Sequence, residues 1–379
     1  MQTHSSPLIG FGSRVRPSAY FDATRRYGCK AYSVYNHMYM PLYYESPEAD
    51  YWRLVNDVTL WDVGVERQVE ITGPDAARFT QYLTPRNLSK CVVGQCKYVF
   101  ITSEQGGIIN DPVLLRLDDN HFWLSLADSD VLLWAKGVAV HSGMDVQIEE
   151  PDVHPLQLQG PQAPRVIQAL LGDEIAALRY FWFRELDLDG IPIVVSRTGW
   201  SGERGYEIYL RDSQYGDRLW ERIMEAGKQF NIAPAGTSAI RRIEAGMLSY
   251  GTDITIENNP FELGMERLVD LEQEADFIGK EALTEIKTRG PHRKLVGMQL
   301  DGEPLEAPNL RHWPVKNKDH RVGHVSSCVY SPGLQRNIGL AMVVVEFAAL
   351  GSTFTVDAID GVRSAEIVPL PFAQPKQTS

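Results

Sequence analysis

The chain lacks most of the motifs that mark common enzyme classes. It holds four cysteines, Cys29, Cys91, Cys96 and Cys328, and no two of them form C-x-x-C. No matched histidine pair accompanies them, so no zinc site and no other metal site is expected. Cys91-x₄-Cys96 lacks the spacing of a redox pair, and four free thiols in a reducing compartment are the simplest expectation. There is no G-x-x-x-x-G-K-[ST], H-E-x-x-H, G-x-S-x-G or G-x-G-x-x-G. These absences argue against nucleotide hydrolysis, zinc peptidase and Rossmann oxidoreductase chemistry.

Positive charge is also scarce. Lys and Arg number 37 against 49 Asp and Glu, a formal net charge of −12. Nucleic-acid binding depends on neutralising phosphates with basic side chains, so no nucleic-acid partner is expected. No run of about 20 apolar residues is present, and no membrane span is expected. The N-terminus, MQTHSSPLIGFGSRVRPS, lacks the apolar core of a secretory signal, so a cytoplasmic location is expected. What remains is an ordinary globular composition, 44% hydrophobic and 23% charged, in 379 residues. That length fits about two or three domains.

The most informative stretch is Arg197 to Leu210, RTGWSGERGYEIYL. Gly199, Gly202 and Gly205 permit positive φ and close approach of a ligand. The YEIYL that follows alternates as a strand does. Tyr206, Ile208 and Leu210 share one face, Glu207 and Tyr209 the other. A buried Glu207 needs a partner, and a heterocycle with two adjacent N–H donors, such as a pterin, is one that fits. An ordinary hairpin with a solvent-facing Glu207 has the same pattern.

Taken in order, residues 1–18 read as a poorly ordered lead-in and residues 18–28 as a helix with Ser18 as cap and Gly28 as stop. Seven aromatics then crowd residues 32–52: Tyr32, Tyr35, Tyr39, Tyr43, Tyr44, Tyr51 and Trp52, with Asn36 and His37 among them. Aromatic faces can surround an ammonium or sulfonium cation; they also pack between domains. A helix from Glu48 to Val55, a strand at 67–73 and a helix opened by Pro74 follow. Strands at 97–102, 108–117 and 121–127 and a helix at 129–142 complete a ferredoxin-like grammar. Residues 154–246 repeat it, with strands at 154–159, 183–188, 191–196 and 205–210 and helices after Pro161 and at 213–230 and 235–246. A helix at 276–289 leaves the core, and from Lys294 short β-rich runs predict a small barrel or sandwich, ending in a frayed AQPKQTS tail.

Candidate chemical residues follow from these placements. Asp111, in GGIINDPV, precedes Pro112, whose missing donor predicts a bulge or edge that re-aims the acid into a cleft. Arg242 can pair with Glu207, bind a ligand, or form a surface ion pair worth little. Tyr98, Phe181 and Trp182 can stack on a ring or be plain core. His37 can serve in acid–base chemistry or as a hydrogen-bonded structural residue.

The order of the motifs along the chain says more than any one of them. A strand Tyr, GG-x-x-x-D, a GP-x-A helix, TGW-x-GE-x-GYEI, RxEAGxLxYGxD, NPFELG and DFIGKEAL, closing in a β-rich domain, resemble the glycine-cleavage T-protein (aminomethyltransferase) family over nearly the whole chain. Within it, AYSVYNHMYMP, IINDPV, LSLADSDV and CVYSP followed by IGLAMV resemble most the members that demethylate dimethylsulfoniopropionate. Aminomethyltransferases usually carry two adjacent acids where this chain has Asn110-Asp111, which puts the aminomethyl reaction in doubt.

The resemblance implies an α+β, three-domain cloverleaf: two ferredoxin-like units and a C-terminal β-barrel around a central folate channel. The approximate divisions are 1–150, 151–290 and 291–379, with the first unit allowed to be discontinuous. It implies a tetrahydrofolate-dependent methyltransferase of one-carbon metabolism that makes 5-methyltetrahydrofolate and methylmercaptopropionate. Asp111 would be catalytic. Tyr98, Asp111, Phe181, Trp200, Glu207, Tyr209, Arg242 and Tyr250 would line the cofactor site, and Tyr32, Tyr35, His37 and Trp200 the substrate site. The expected partner is a small-molecule methyl donor, without nucleic acid or membrane, and a homodimer is left open. Glycine betaine, dimethylglycine or an aryl methyl ether remain alternative donors, as do aminomethyl transfer and a non-catalytic folate-binding role. For the donor's carboxylate the candidates are Arg16, Lys30 and backbone donors.

Overall fold

The computed structural model describes residues 10–376. The lead-in expected at residues 1–9 and the fraying expected at 377–379 lie outside the described residues. Inside them, both ends are docked, contrary to expectation. The Gly12 N–H donates to the Tyr39 hydroxyl at 2.6 Å, and Arg16 bridges to Met38. At the other end the Lys376 N–H donates to the Gly202 carbonyl at 2.6 Å.

The first sheet has five antiparallel strands, in the order Gln147–Glu149, Gln68–Thr72, His121–Ser125, Val113–Asp118, Cys96–Tyr98. The helices Ala76–Leu83 and Val131–Ser142 cover one face, burying Val69, Ile71, Phe79, Leu114 and Leu124. The second sheet runs Phe183–Asp187, Pro192–Ser196, Gly205–Leu210, His154–Gln159, Val58–Asp62, Ile232–Pro234. Helices Ala163–Leu171 and Gly216–Gly227 cover its outer face over Leu158, Tyr206, Ile208 and Leu210.

One strand breaks the sequential reading. Val58–Asp62, where no strand is expected from the sequence, pairs with His154–Gln159 in the second sheet. All five of its residues are buried, Thr59 and Asp62 included, and a strand buried on both faces belongs inside a sheet rather than at its rim. The helix read at 18–28 is Phe21–Arg26. Ser18 does not cap it: the N-cap position falls at Tyr20, and the Ser18 hydroxyl donates to Asp62 while accepting from the Tyr20 N–H. The helix read at 235–246 shortens to Ala239–Glu244, capped by the Ser238 hydroxyl.

The third body is a closed six-stranded barrel: Arg293–Leu300, Arg336–Val344, His320–Ser331, Trp313–Asn317, Thr353–Ala358, Gly361–Val368. Where the two sheets face each other, Cys96, Leu115 and Trp123 meet Val194 and Tyr209. Where the first sheet meets the barrel, Phe100 and Ile108 meet Leu340 and Met342, with Tyr98 and Tyr250 alongside. No helix among the described residues is long and apolar enough to cross a membrane.

Candidate functional site

The alternation in Gly205–Leu210 sends Tyr206, Ile208 and Leu210 to the helix-covered core and Tyr209 to the seam between the sheets. Glu207 shares that inner face and is 3% exposed, so the solvent-facing reading fails. Its register partner on the neighbouring strand is Gln157, whose Nε2 donates to Glu207 Oε1 at 2.7 Å. The Tyr209 hydroxyl donates to Oε2 at 2.7 Å, and the Thr198 hydroxyl donates to the same oxygen. Burial pushes the Glu207 carboxyl above the ordinary range, against the pull of these donors. Oε1 keeps a lone pair for a further N–H.

The glycines before this strand act within the protein. A Cβ on Gly202, at φ 73°, would lie 2.6 Å from Ala245 Cβ, and one on Gly205 would lie 2.3 Å from Gln159 Nε2. The close approach they permit is to the chain's own neighbours.

Asp111 stands just beyond the strand Ile108–Asn110, where Pro112 interrupts pairing before Val113. The Tyr98 hydroxyl donates to its Oδ2 at 2.8 Å, while Oδ1 is buried with no hydrogen-bond partner. Burial raises the carboxyl to about 7, although the Tyr98 bond pulls the other way. Asn110 beside it is wholly structural. Its Nδ2 donates to the Ala127 carbonyl and the Ser129 hydroxyl, both at 2.9 Å, and its Oδ1 accepts from the Ala127 N–H.

Several aromatic groups converge on these carboxylates. Asn36, at the tip of the hairpin formed by Ala31–Tyr35 and Met38–Tyr43, donates to the Val65 and Ala127 carbonyls and receives Asp128 on its N–H. That anchoring brings Tyr35 beside Asp111, Glu66 and Asp128; burial, then these charges, raise its hydroxyl well above the ordinary range. The Tyr250 hydroxyl donates to the Ile108 carbonyl at 2.9 Å and is pushed up to about 12 by burial and by Asp111. Trp200 hangs between Gln157 Oε1, which accepts its N–H at 3.3 Å, and the Leu248 carbonyl, which accepts its indole N–H at 2.9 Å. Phe181, at φ 61°, packs against the Tyr209 cluster.

Tyr35, Tyr98 and Asp111 keep some accessible surface, and the space they share is the candidate ligand cavity. Trp200 and Tyr250 are likewise half-buried.

Three expected residues stand elsewhere or act otherwise. His37 is exposed on the hairpin turn, with Nε2 3.4 Å from Asp130, because Asn36 takes the inward position. Tyr32 belongs to an aromatic cluster with Phe11 and Phe21, and its hydroxyl bonds Thr24 at 2.7 Å. Arg242 does not pair with Glu207 and is no surface residue. It is 5% exposed, pairs with Asp253, and donates to the Ser327 hydroxyl at 2.7 Å, with its guanidinium 5.6 Å from the Trp200 ring centroid. Of the candidates for a donor carboxylate, Arg16 is paired with Glu150 at 2.7 Å and Lys30 caps the Glu45 carbonyl at 3.1 Å.

Sequence reasoning missed Glu66 and Gln157. The signal was present in HPLQLQ, a strand whose two glutamines are both buried, since an uncharged amide inside a strand must have a partner there.

Residues 20–273 match the family described as the GCVT N-terminal domain, and residues 293–374 match the glycine cleavage T-protein C-terminal barrel domain. The chain is 38% identical to a dimethylsulfoniopropionate demethylase of Ruegeria pomeroyi, over 93% of this chain and 96% of that one. It is 31% identical to an aminomethyltransferase of Desulfitobacterium hafniense, over 95% and 98%. The crystal structure of glycine cleavage system aminomethyltransferase T from Bartonella henselae superposes with a TM-score of 0.86 at 24% identity, covering 96% of this chain and 99% of that one. That superposition establishes the shared fold.

Proposed function

The chain belongs to the glycine cleavage T-protein family, and from that premise we propose that it moves a methyl group from dimethylsulfoniopropionate to tetrahydrofolate. The products are 5-methyltetrahydrofolate and methylmercaptopropionate. It is a folate-dependent transferase, and the sulfonium donor is the specific part of the reading. The likeness to the Ruegeria demethylase over nearly the full length of both chains supports it. The observation that carries it against aminomethyl transfer is Asn110. Both its amide hydrogens are committed to Ala127 and Ser129, so a carboxylate there would lose two bonds and bury a charge.

Whether the cavity suits tetrahydrofolate can be judged from its unpaired acceptors. Asp111 Oδ1 is buried without a donor, and Glu207 Oε1 has a lone pair to spare. A ligand edge rich in N–H groups satisfies both, so the residues present fit the group. Glu207 would hold the pterin, with Tyr98, Phe181, Trp200, Tyr209 and Tyr250 as walls. Arg242 acts on that wall through Trp200. Bound tetrahydrofolate supplies the nitrogen that receives the methyl group.

The protein's part is mostly orientation. A sulfonium methyl is electrophilic and its leaving group is a neutral thioether, so no side chain has to protonate the leaving sulfur. The C–S bond breaks with its electron pair staying on sulfur as the C–N bond forms. Asp111 Oδ1 would take the proton released at the methylated nitrogen, since a carboxyl near 7 can accept a proton at neutral pH. Tyr98 keeps Oδ2 engaged, so the proton goes to the other oxygen. Tyr35 and Trp200 offer aromatic faces to the cation.

The test is a methyl-transfer assay followed by mass spectrometry. Purified protein and tetrahydrofolate receive, one per tube, dimethylsulfoniopropionate, glycine betaine, dimethylglycine or a methoxybenzoate. The expected outcome is 5-methyltetrahydrofolate with the sulfonium alone. Product with a different donor only would overturn the substrate and keep the reaction class.

A further inference from the structure

We infer that Glu66 is the specificity-determining residue by which this cavity selects a positively charged methyl donor over an uncharged one of the same shape. The inference rests on the methyl-onium reading above and adds to it a residue with a role.

Glu66 lies on the connection between Val58–Asp62 in the second sheet and Gln68–Thr72 in the first. Gln157 Nε2 donates to Glu66 Oε1 at 3.1 Å and to Glu207 Oε1 at 2.7 Å, so one amide group serves two carboxylates. The two do not share it equally. Glu207 has the shorter bond and two hydroxyl donors besides. Glu66 has the longer bond, with the Ser125 hydroxyl as a further donor. Like Asp111, it retains some accessible surface.

Among the groups facing Glu66 are Gln157, Glu207 and Tyr209 from the second sheet, Gln68 and Ser125 from the first, Asp111 from the turn before Val113, and Tyr35 from the hairpin. None is basic. Among the described residues Glu66 forms no ion pair, and Arg67, next to it in the chain, is spent on Glu150. Two further acceptors point the same way. Asp111 Oδ1 is buried without a partner, and so is Oε1 of Gln68, a residue 1% exposed whose Nε2 bonds the Glu66 carbonyl and Ser125.

A buried region with three carboxylates, unpaired acceptors and no cation is unfavourable by itself. A ligand that brings positive charge relieves it. A sulfonium or quaternary ammonium has no N–H or O–H to give, and needs only nearby negative charge and aromatic faces. Glu207 is held by three donors and the free oxygen of Asp111 is assigned to the folate, so Glu66 is the carboxylate left to answer the cation. Burial, then the Glu207 charge, raise its carboxyl well above the ordinary range, and a cation beside it favours the ionised form. Positive charge leaves the donor as the methyl departs. A counter-charge therefore favours the bound ground state more than the transition state, and removing it should raise KM without lowering kcat.

The experiment compares binding of dimethylsulfoniopropionate with binding of 4-methylpentanoate, in which a carbon replaces the charged sulfur, by calorimetry on the full-length protein without tetrahydrofolate, so that no methyl is transferred during the titration. Wild type should prefer the sulfonium by about tenfold or more. In Glu66→Gln that preference should fall to within about twofold, with KM raised about tenfold, kcat not lowered and tetrahydrofolate affinity unchanged. Glu66→Asp, which keeps the charge, should recover part of the preference, separating the charge from a packing role. A Glu66→Gln protein that keeps the wild-type preference, or loses folate affinity to the same degree, overturns the assignment of Glu66 alone. A wild type indifferent to the charge overturns the onium reading together with it.

Discussion

The Tyr98 hydroxyl holds one oxygen of Asp111 at 2.8 Å and leaves the other buried without a partner. Few buried carboxylates are left so incompletely satisfied. The arrangement keeps the acid oriented while its free oxygen can take a proton, and it makes Asp111 the residue whose titration the reaction should report.

Asp111→Asn should lower turnover by about a hundredfold or more, the usual worth of a positioned general base. In wild type, turnover should rise with pH through about 7, because only the ionised carboxyl accepts a proton. The variant should show a flat profile over that range. A wild-type profile already flat between pH 5 and 8 would remove Asp111 from the chemistry.

The same shift has a consequence for stability, with a sign opposite to the usual aspartate. Here the folded carboxyl is raised, so between about 4 and about 7 the native state binds the proton more tightly than the unfolded state. This group's contribution should therefore be lost as pH rises through that window. Thermal melts of wild type and Asp111→Asn should diverge in favour of the variant from pH 5 to pH 8.

Glu207→Ala should raise the apparent tetrahydrofolate requirement by about a hundredfold while changing donor KM by less than about threefold. The size reflects loss of a charged acceptor held in place by Gln157, Thr198 and Tyr209. Folate titration by Trp fluorescence measures it, and unchanged folate affinity would dismiss Glu207 as the pterin contact.

Arg242→Ala should cost about 3–5 kcal/mol of stability, the range for breaking a buried ion pair from one side. The residue left behind, Asp253, is 4% exposed, and the arginine also ties the Ala239–Glu244 helix to Ser327 of the barrel. Urea denaturation provides the number. A loss below about 1 kcal/mol would mean that the pair behaves as an exposed one.

His37→Ala should leave turnover within about twofold, since the imidazole is exposed beside Asp130 and outside the carboxylate-lined cavity. A drop of tenfold or more in the methyl-transfer assay would restore it to the site.

Much of this protein was legible along the chain because its signals are local. The alternation of YEIYL sets which side chains point inward whatever lies around it, and it separates Glu207 and Tyr209 from Tyr206 and Ile208 as the structure does. The Gly- and Pro-punctuated runs after Lys294 close into a barrel, and the order of motifs from GGIIND to DFIGKEAL was enough to indicate the family. Pairing between distant segments carries no such local mark. Nothing in LWDVG says that Val58–Asp62 lies beside His154–Gln159, because a strand's partner depends on which faces remain to be buried after the rest has folded. Arg242 could be read as a partner of Glu207 because both are charged. Its partner is Asp253, eleven residues further along the chain, since folding brings that acid and Ser327 within hydrogen-bond reach of it and takes Glu207 to a different sheet. Glu66 looked like one more charge in VERQVE until the fold set it beside Gln157. The sequence by itself determined which residues bear chemistry and which way each faces on its own strand; only the tertiary structure decided which of them meet, because burial and charge act between neighbours in space.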